Sequence, residues 1–265
     1  MVKLFVTSDV HGFFDVFQQE LFDKGFEIDN PNHKLIVCGD LFDRGEQAIE
    51  LFDFVKSLGD RFIYVRGNHE DLILDCYDEL LSNRMPGYHH VSNGTVGTIC
   101  QFTGFGFYNI FTPSPDRTRA FANKMEPVLH WIVNKSINYF ETANYIFVHG
   151  WIPCYQGLDD FREATDEDWD RARWNNGMEM WKNPKCRVDG KTVVCGHWHC
   201  SWGWAHIKQD RKEFPQKNRK GWERSFEPFV SDGIMAVDAC TAYTGLCNIV
   251  VIEDELLEDD ANGNN

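Results

Sequence analysis

The stretch KLIVCGDLFDRG, residues 34–45, decides the fold. Leu35, Ile36, Val37 and Cys38 make a continuous apolar run, as a strand buried on both faces requires. Gly39 ends the run, and Asp40, Asp43 and Arg44 follow before the next glycine, Gly45. From there Ala48, Leu51, Phe52, Val55 and Leu58 fall on one face at helical spacing. That spacing predicts an amphipathic helix over 45–58. A buried strand, a polar turn and a returning helix are the parts of a parallel α/β layer, which binds ligands beyond the carboxyl ends of its strands.

Four further motifs repeat the arrangement. SDVHG (8–12) follows the apolar run 3–7, RGNHE (66–70) follows 62–65, VHG (148–150) closes 145–148, and CGHWH (195–199) closes 192–195. Runs at 234–237 and 247–252 also read as strands; 13–24, 70–81 and one or two segments within 119–140 read as helices. Strand–helix alternation over the first 80 residues predicts right-handed crossovers and a largely parallel sheet. Later strands lie closer together, which predicts a mixed or antiparallel sheet. The expected fold class is α/β, with two mixed sheets packed as a sandwich and flanked by helices. Residues 86–115, rich in glycine, aromatic and polar residues, read as long loops near the site. Segment 205–224 carries seven basic residues between Lys208 and Arg224. It reads as a solvated surface insert, or as a docking patch for an acidic partner.

With 265 residues and 43% apolar content the chain can bury a full core. Residues 1–252 read as one domain and 253–265 as a frayed acidic tail. A formal charge of −15 argues against an extended nucleic-acid surface. It does not argue against a small anionic substrate, because bound metal ions dominate the field around them. Nine scattered cysteines suit reduced, mostly buried thiols and a cytoplasmic location. The N-terminal MVKLFVTSD enters a strand at once and leaves no room for a signal peptide. No run reaches the ~18 apolar residues of a membrane span.

The five motifs together offer aspartates, histidines and one asparagine, which are the ligands of a two-metal hydrolase. Two divalent ions ~3.5–4 Å apart need one bridging carboxylate and separate ligands for each ion. Asp40 is the expected bridge, Asp9 and His11 would complete one ion, and Asn68, His149 and His197 the other. Mixed imidazole and oxygen donors suit manganese, iron or zinc better than magnesium or calcium.

These motifs resemble the phosphoprotein phosphatase branch of the calcineurin-like metallophosphoesterases. GDLFDRG and RGNHE carry the likeness to the branch, Asp9-x-His11 the likeness to the whole superfamily, and DACTAYTG (238–245) resembles its late strand-turn segment. The resemblance implies a two-sheet sandwich, a dinuclear centre and the hydrolysis of phosphate monoesters. It implies metal ligation by Asp9, His11, Asp40, Asn68, His149 and His197. By the same resemblance His69 is the general acid, oriented by Asp43, and Arg44, Arg66 and Asn68 contact the substrate phosphate. A third phosphate-binding arginine is expected in WDRARW, where the spacing favours Arg171 over Arg173. Two features depart from the branch. Trp151 replaces a glycine and is expected to make the pocket wall bulkier. His199 is an extra histidine; two residues beyond His197 on an extended segment, it would face the same side and ligate the first ion.

The expected activity is that of a serine/threonine protein phosphatase, extending to phosphotyrosine, with a phosphoprotein or small phosphorylated substrate and no membrane partner. Dinucleoside tetraphosphate hydrolysis is the nearest alternative, and cyclic phosphodiester hydrolysis comes after it. A non-catalytic phosphate-binding module is the remote one, since such a module has no need to keep every ligand.

Overall fold

Along each long strand the side chains alternate between two faces, and here both faces are covered by protein. The computed structural model describes residues 2–112, 114–155, 158–208 and 225–257. Its first five strands are β1 (Val2–Thr7), β2 (His33–Cys38), β3 (Phe62–Val65), β4 (Ser136–Ile137) and β5 (Phe140–Glu141). The other five are β6 (Tyr145–Phe147), β7 (Thr192–Cys195), β8 (Phe229–Ser231), β9 (Ile234–Ala236) and β10 (Val250–Asp254). One sheet has the order β10-β1-β2-β3-β4, parallel except for β10. The other has the order β5-β6-β7-β9-β8, parallel over β6, β7 and β9 with antiparallel edges.

Leu4, Val6, Ile36, Cys38 and Val65 of the first sheet pack against Phe147, Val194 and Val237 of the second. The opposite face of the first sheet presents Phe5, Leu35, Val37, Phe62 and Tyr64 to a helical layer. That layer contains α1 (Phe14–Asp23), α2 (Ala48–Ser57), α3 (Asn68–Leu81), α4 (Tyr88–Ser92), α5 (Thr95–Thr103), α6 (Phe107–Ile110) and α7 (Pro115–Lys135). The outer face of the second sheet meets Trp151, Trp181 and Trp169, the last on α8 (Asp166–Ala172). The α/β class and the two mixed sheets are as the sequence predicts.

Four sequence expectations are corrected. Residues 86–115 are mostly helical: α4, α5 and α6 have five, nine and four residues. Helices this short, separated by Gly87, Gly94, Gly104 and Gly106, show no sustained period, so their glycines read as loop. The acidic tail begins later than residue 253, because β10 runs to Asp254 and Leu256 bridges Thr142. Asp254 is buried there, accepting bonds at 2.6 Å from both Thr142 Oγ1 and Asn144 Nδ2. Cys154 and Cys186 form a disulfide, whereas seven cysteines are free. Their separation of 32 residues gives no paired spacing; only the approach of the segments after β6 and before β7 brings them together. Trp151 does not line a pocket: it is 1% exposed in the second core and donates to the Cys186 carbonyl. Most of the basic segment 205–224, and 258–265 of the tail, lie outside the described residues.

The end of β2 is the tightest point of the frame. Gly39 has φ +81°, and a Cβ there would lie 2.3 Å from His149 Nδ1 and 2.7 Å from Gly67 Cα. Gly39→Ala should therefore cost about 2–4 kcal/mol, strain and overlap combined. Gly25 has φ +88° with nothing within 4 Å of an added Cβ, so Gly25→Ala should cost only about 1 kcal/mol. Urea denaturation of the two variants checks the contrast, and equal losses would contradict it.

Candidate metal centre and active site

The parallel strands β1, β2, β3, β6, β7 and β9 all point toward one edge of the sandwich. Just past their ends the backbone turns left-handed at Asp9, His11, Asp40, Asp43, Arg44 and His197, with φ between 51° and 72°. Non-glycine residues avoid this region, and such strain gathers at functional sites. Buried Glu70 holds two of the turns together. Its Oε2 accepts from Asp40 N at 3.0 Å and Gly67 N at 2.7 Å, and its Oε1 from Leu41 N at 3.0 Å. The ends of β2 and β3 are thereby tied by one carboxylate.

Two groups of possible ligands share Asp40. One contains His11, Asp40 and His69; the other contains Asp40, His149 and His197. Asp40 Oδ1 lies 3.3 Å from His149 Nε2, and Oδ2 lies 3.8 Å from His11 Nε2. Asn68 Oδ1 is 2.8 Å from His149 Nε2. Asp9 Oδ1 is 3.9 Å from His11 Nε2, and Asp9 Oδ2 accepts from His197 N at 2.9 Å. The rings are oriented from behind. His11 Nδ1 bonds the Phe42 carbonyl at 3.0 Å, His149 Nδ1 the Cys38 carbonyl at 2.8 Å, and the His197 ring the Trp174 carbonyl. Each such bond leaves the other ring nitrogen with a lone pair for a cation. The donor set, carboxylate oxygens and neutral imidazoles around a shared aspartate, fits a dinuclear metal centre.

Electrostatics reinforce this fit. Burial pushes the Asp40 carboxyl well above the usual range; His69 opposes the shift and the carboxylates of Asp9 and Glu70 add to it. Burial also raises Asp238 well above that range, again with Asp9 nearby. For Asp9 burial raises the pKa, but the nearby His149 and His11 and the hydrogen bond from His197 N help to outweigh it, and the net shift is downward. Burial, with the Arg44 and His69 charges, lowers His11 well below its ordinary value. Burial beside His149 lowers His197 to about 3. Both rings are therefore neutral near pH 7, the form that ligates metal.

His69 differs from them. Burial alone would lower its pKa, but the Asp40 charge and the hydrogen bond and charge of Asp43 raise it. His69 Nδ1 lies 2.7 Å from Asp43 Oδ2. A ring whose pKa is raised by Asp40 and Asp43, and whose Nδ1 is fixed by a carboxylate, suits proton donation. Arg44 spans the mouth, with Nη1 2.8 Å from His11 Nε2 and Nη2 3.1 Å from His69 Nε2. It holds the lone pair through which His11 would ligate, so the guanidinium and an ion compete for one atom.

The remaining sequence candidates divide clearly. Arg66 donates to Asp71 Oδ1 from Nε and Nη2, at 2.7 and 2.6 Å. The expected third arginine, Arg171, is 59% exposed and paired with Glu167 and Asp168 on its own helix α8. Arg173, which the sequence placed second, is 4% exposed and donates to Asp71 Oδ2 at 3.0 Å. It is thus joined to Arg66 through one carboxylate. His199 lies outside both ligand groups, 45% exposed, with Nε2 3.9 Å from Asp238 Oδ2. Left-handed His197 breaks the extended geometry on which the same-side expectation relied. Sequence reasoning also assigned no role to Glu70, Asp71, Asp238, Thr95 or Thr98. Glu70 stands within a quoted motif and Asp238 directly after an apolar run, and those positions were the available signals.

Asp40 yields a test with a definite sign. Its folded pKa is raised, so the metal-free protein loses stability as pH rises from the unfolded value, about 3.9, through the folded value. Asp40→Asn removes that loss. The metal-free variant should match the wild type near pH 4 and exceed its Tm near pH 8. Manganese should raise the Tm of the wild type and not of the variant. Melting curves across pH, with and without metal, check both statements; a variant less stable at high pH would overturn the first.

Comparison with known proteins agrees with the geometry. Residues 2–220 match the family model of the calcineurin-like phosphoesterases. A symmetrical bis(5'-nucleosyl)-tetraphosphatase from Nitrosococcus oceani is 39% identical over 69 residues, 26% of this chain and 24% of that protein. The corresponding protein from Aeromonas hydrophila is 40% identical over 78 residues, 29% of this chain and 28% of that protein. The matches thus span about a quarter of the length of these relatives. A mutant cold-active protein tyrosine phosphatase has the same fold at 15% identity, with a TM-score of 0.52 over 96% of this chain and 76% of that chain. With two His/Asp groups sharing Asp40 at the strand ends, the chain belongs to the calcineurin-like phosphoesterases and is a hydrolase of that family.

Proposed function

We propose that this protein hydrolyses dinucleoside tetraphosphates at a dinuclear metal centre. The observation that carries the substrate class is the similarity to the two symmetrical tetraphosphatases. A second feature supports it: Trp174 and Trp198, each partly exposed, stand against His197 with ring centroids 5.8 and 6.5 Å away. Exposed indole faces beside a metal ligand offer stacking surfaces for a nucleobase. Asp9, His11, Asp40, Asn68, His149 and His197 would hold the ions, with manganese the first metal to test and iron or zinc also suited to the donors. Such ions supply polarisation of the phosphoryl oxygens and activation of a water. The chain's own residues do the rest. Arg44 and Arg66 bind the non-bridging oxygens, whose charge must be held through the transition state. His69 delivers a proton from Nε2 to the leaving oxygen, while Asp43 fixes the ring from behind.

A second reading, a phosphoserine or phosphothreonine phosphatase, is favoured by the His69–Asp43 pair. An alkoxide leaving group needs a proton far more than a nucleotide phosphate does.

A substrate panel separates the readings: dinucleoside tetraphosphate, phosphoserine peptide and a phosphodiester, with manganese, side by side. The expected result is the highest kcat/KM for the tetraphosphate, split into two nucleoside diphosphates. Preference for the peptide would overturn the first reading in favour of the second. Trp198→Ala should raise KM for the tetraphosphate about 5–30-fold, the worth of one stacked base; an unchanged KM would remove the stacking argument. His69→Asn should keep its metal content, measured by elemental analysis, and lose roughly 10²–10⁴-fold in turnover.

A further inference from the structure

We propose that Thr95 and Thr98 are positioning residues that hold Asp43, and through it His69, in place for proton delivery. The inference rests on the reading of His69 as proton donor. Asp43 is fully buried, with a left-handed backbone at φ +72°. Its Oδ2 takes His69 Nδ1 at 2.7 Å and the Thr95 hydroxyl at 2.8 Å. Its Oδ1 takes the Thr98 hydroxyl at 2.8 Å, and Thr98 Oγ1 accepts in turn from Asp43 N at 3.0 Å. Thr98 therefore grips both the carboxylate and the strained peptide of the same residue. Both threonines are buried, so water cannot stand in for a lost hydroxyl without a cavity to hold it.

The segment that supplies them is shaped for this contact. Thr95 and Thr98 are three residues apart on α5, which places both hydroxyls on one face of the helix. Gly94, just before the helix, has φ +89°, and a Cβ there would meet Arg44 N at 2.2 Å. Only glycine lets the start of α5 rest on the Asp43–Arg44 turn. Asp43 without its hydroxyls could swing, carrying the His69 ring with it. A shift of about 1 Å at a proton donor costs up to ~10²-fold in rate. The hydroxyls touch neither substrate nor reacting atoms and act through Asp43.

The test uses the full chain with manganese and four variants: Thr95→Val, Thr98→Val, the double variant and Thr98→Ser. Turnover is compared for a nitrophenyl phosphate, whose leaving group needs little help, and an alkyl phosphate, whose leaving group needs a proton. Each single valine variant should slow the alkyl phosphate about 10-fold and the double variant up to ~10²-fold. The aryl phosphate should fall no more than about 3-fold, and Thr98→Ser should restore most of the alkyl rate. An independent readout is the downfield imidazole N–H proton resonance of His69 in the metal-free protein, assigned by its loss in His69→Asn. It should shift or broaden in the double variant and stay in Thr98→Ser. A double variant that melts cooperatively, keeps the resonance and slows both substrates equally would overturn the proposal. If His69→Asn itself slows aryl and alkyl substrates alike, the proton-donor reading fails separately, and the resonance alone then decides whether the threonines hold the pair. Where alkyl turnover is too slow to measure in the wild type, the resonance likewise decides.

Discussion

Like charges packed away from solvent are the constraint around which this molecule is arranged. Asp9, Asp40, Glu70 and Asp238 are all buried at one edge of the sandwich, and Asp9 raises the pKa of both Asp40 and Asp238. Such a cluster is tolerable only where donors converge on it. Backbone amides of residues 40, 41, 67, 69 and 197 turn toward these carboxylates. Left-handed turns at Asp40 and His197 help to aim the amides of residues 40, 41 and 197 inward, and the start of α3 presents those of 67 and 69. Charge crowding, backbone strain and affinity for divalent cations are thus three aspects of one arrangement.

The cationic side is organised as tightly. Arg173 is buried, and its partners Asp71, Asp170 and Asn138 come from three separate segments. Asp71 shares itself between Arg173 and Arg66, so the orientation of Arg66 depends on the far end of this chain of contacts. Arg44 works the other way, lying across the two rings that face the opening. The net charge of −15 is therefore no obstacle to a phosphorylated ligand. What the ligand meets is the local set of guanidiniums and metal-binding groups.

Much of this is legible in the sequence alone. Residues 62–65 and 192–195 are strands to the residue, and the α2 and α3 segments show a clear helical face, because long buried elements impose their period on the sequence. The candidate ligands Asp40, His149 and His197 are legible because each closely follows an apolar run, where chain direction alone fixes which edge it occupies. Contacts between elements are not legible. Nothing within WDRARW tells which arginine turns inward; that depends on Asp71, about a hundred residues earlier. The Cys154–Cys186 pair and the docking of α5 on Asp43 depend in the same way on distant segments meeting. The extended geometry assumed for His199 is not found for a local reason, a backbone angle at His197 that the sequence does not display.

The two halves of the centre stand on different sheets. Asp9, His11, Asp40 and Asn68 extend from β1, β2 and β3, and His149 and His197 from β6 and β7. Behind them runs the apolar seam that includes Leu4, Val6, Ile36, Phe147 and Val194, and across them run the contacts of His149 with Cys38 and Asn68 and of His197 with Asp9. The spacing of the candidate ligands thus depends both on how two layers of hydrocarbon side chains interlock and on these few polar contacts at the sheet edge. A small residue exchanged within that seam would act as a shim, altering the register of one layer on the other. Because the candidate ligands come from both layers, such a slip would change their spacing, which makes the seam a remote control on the sheet edge.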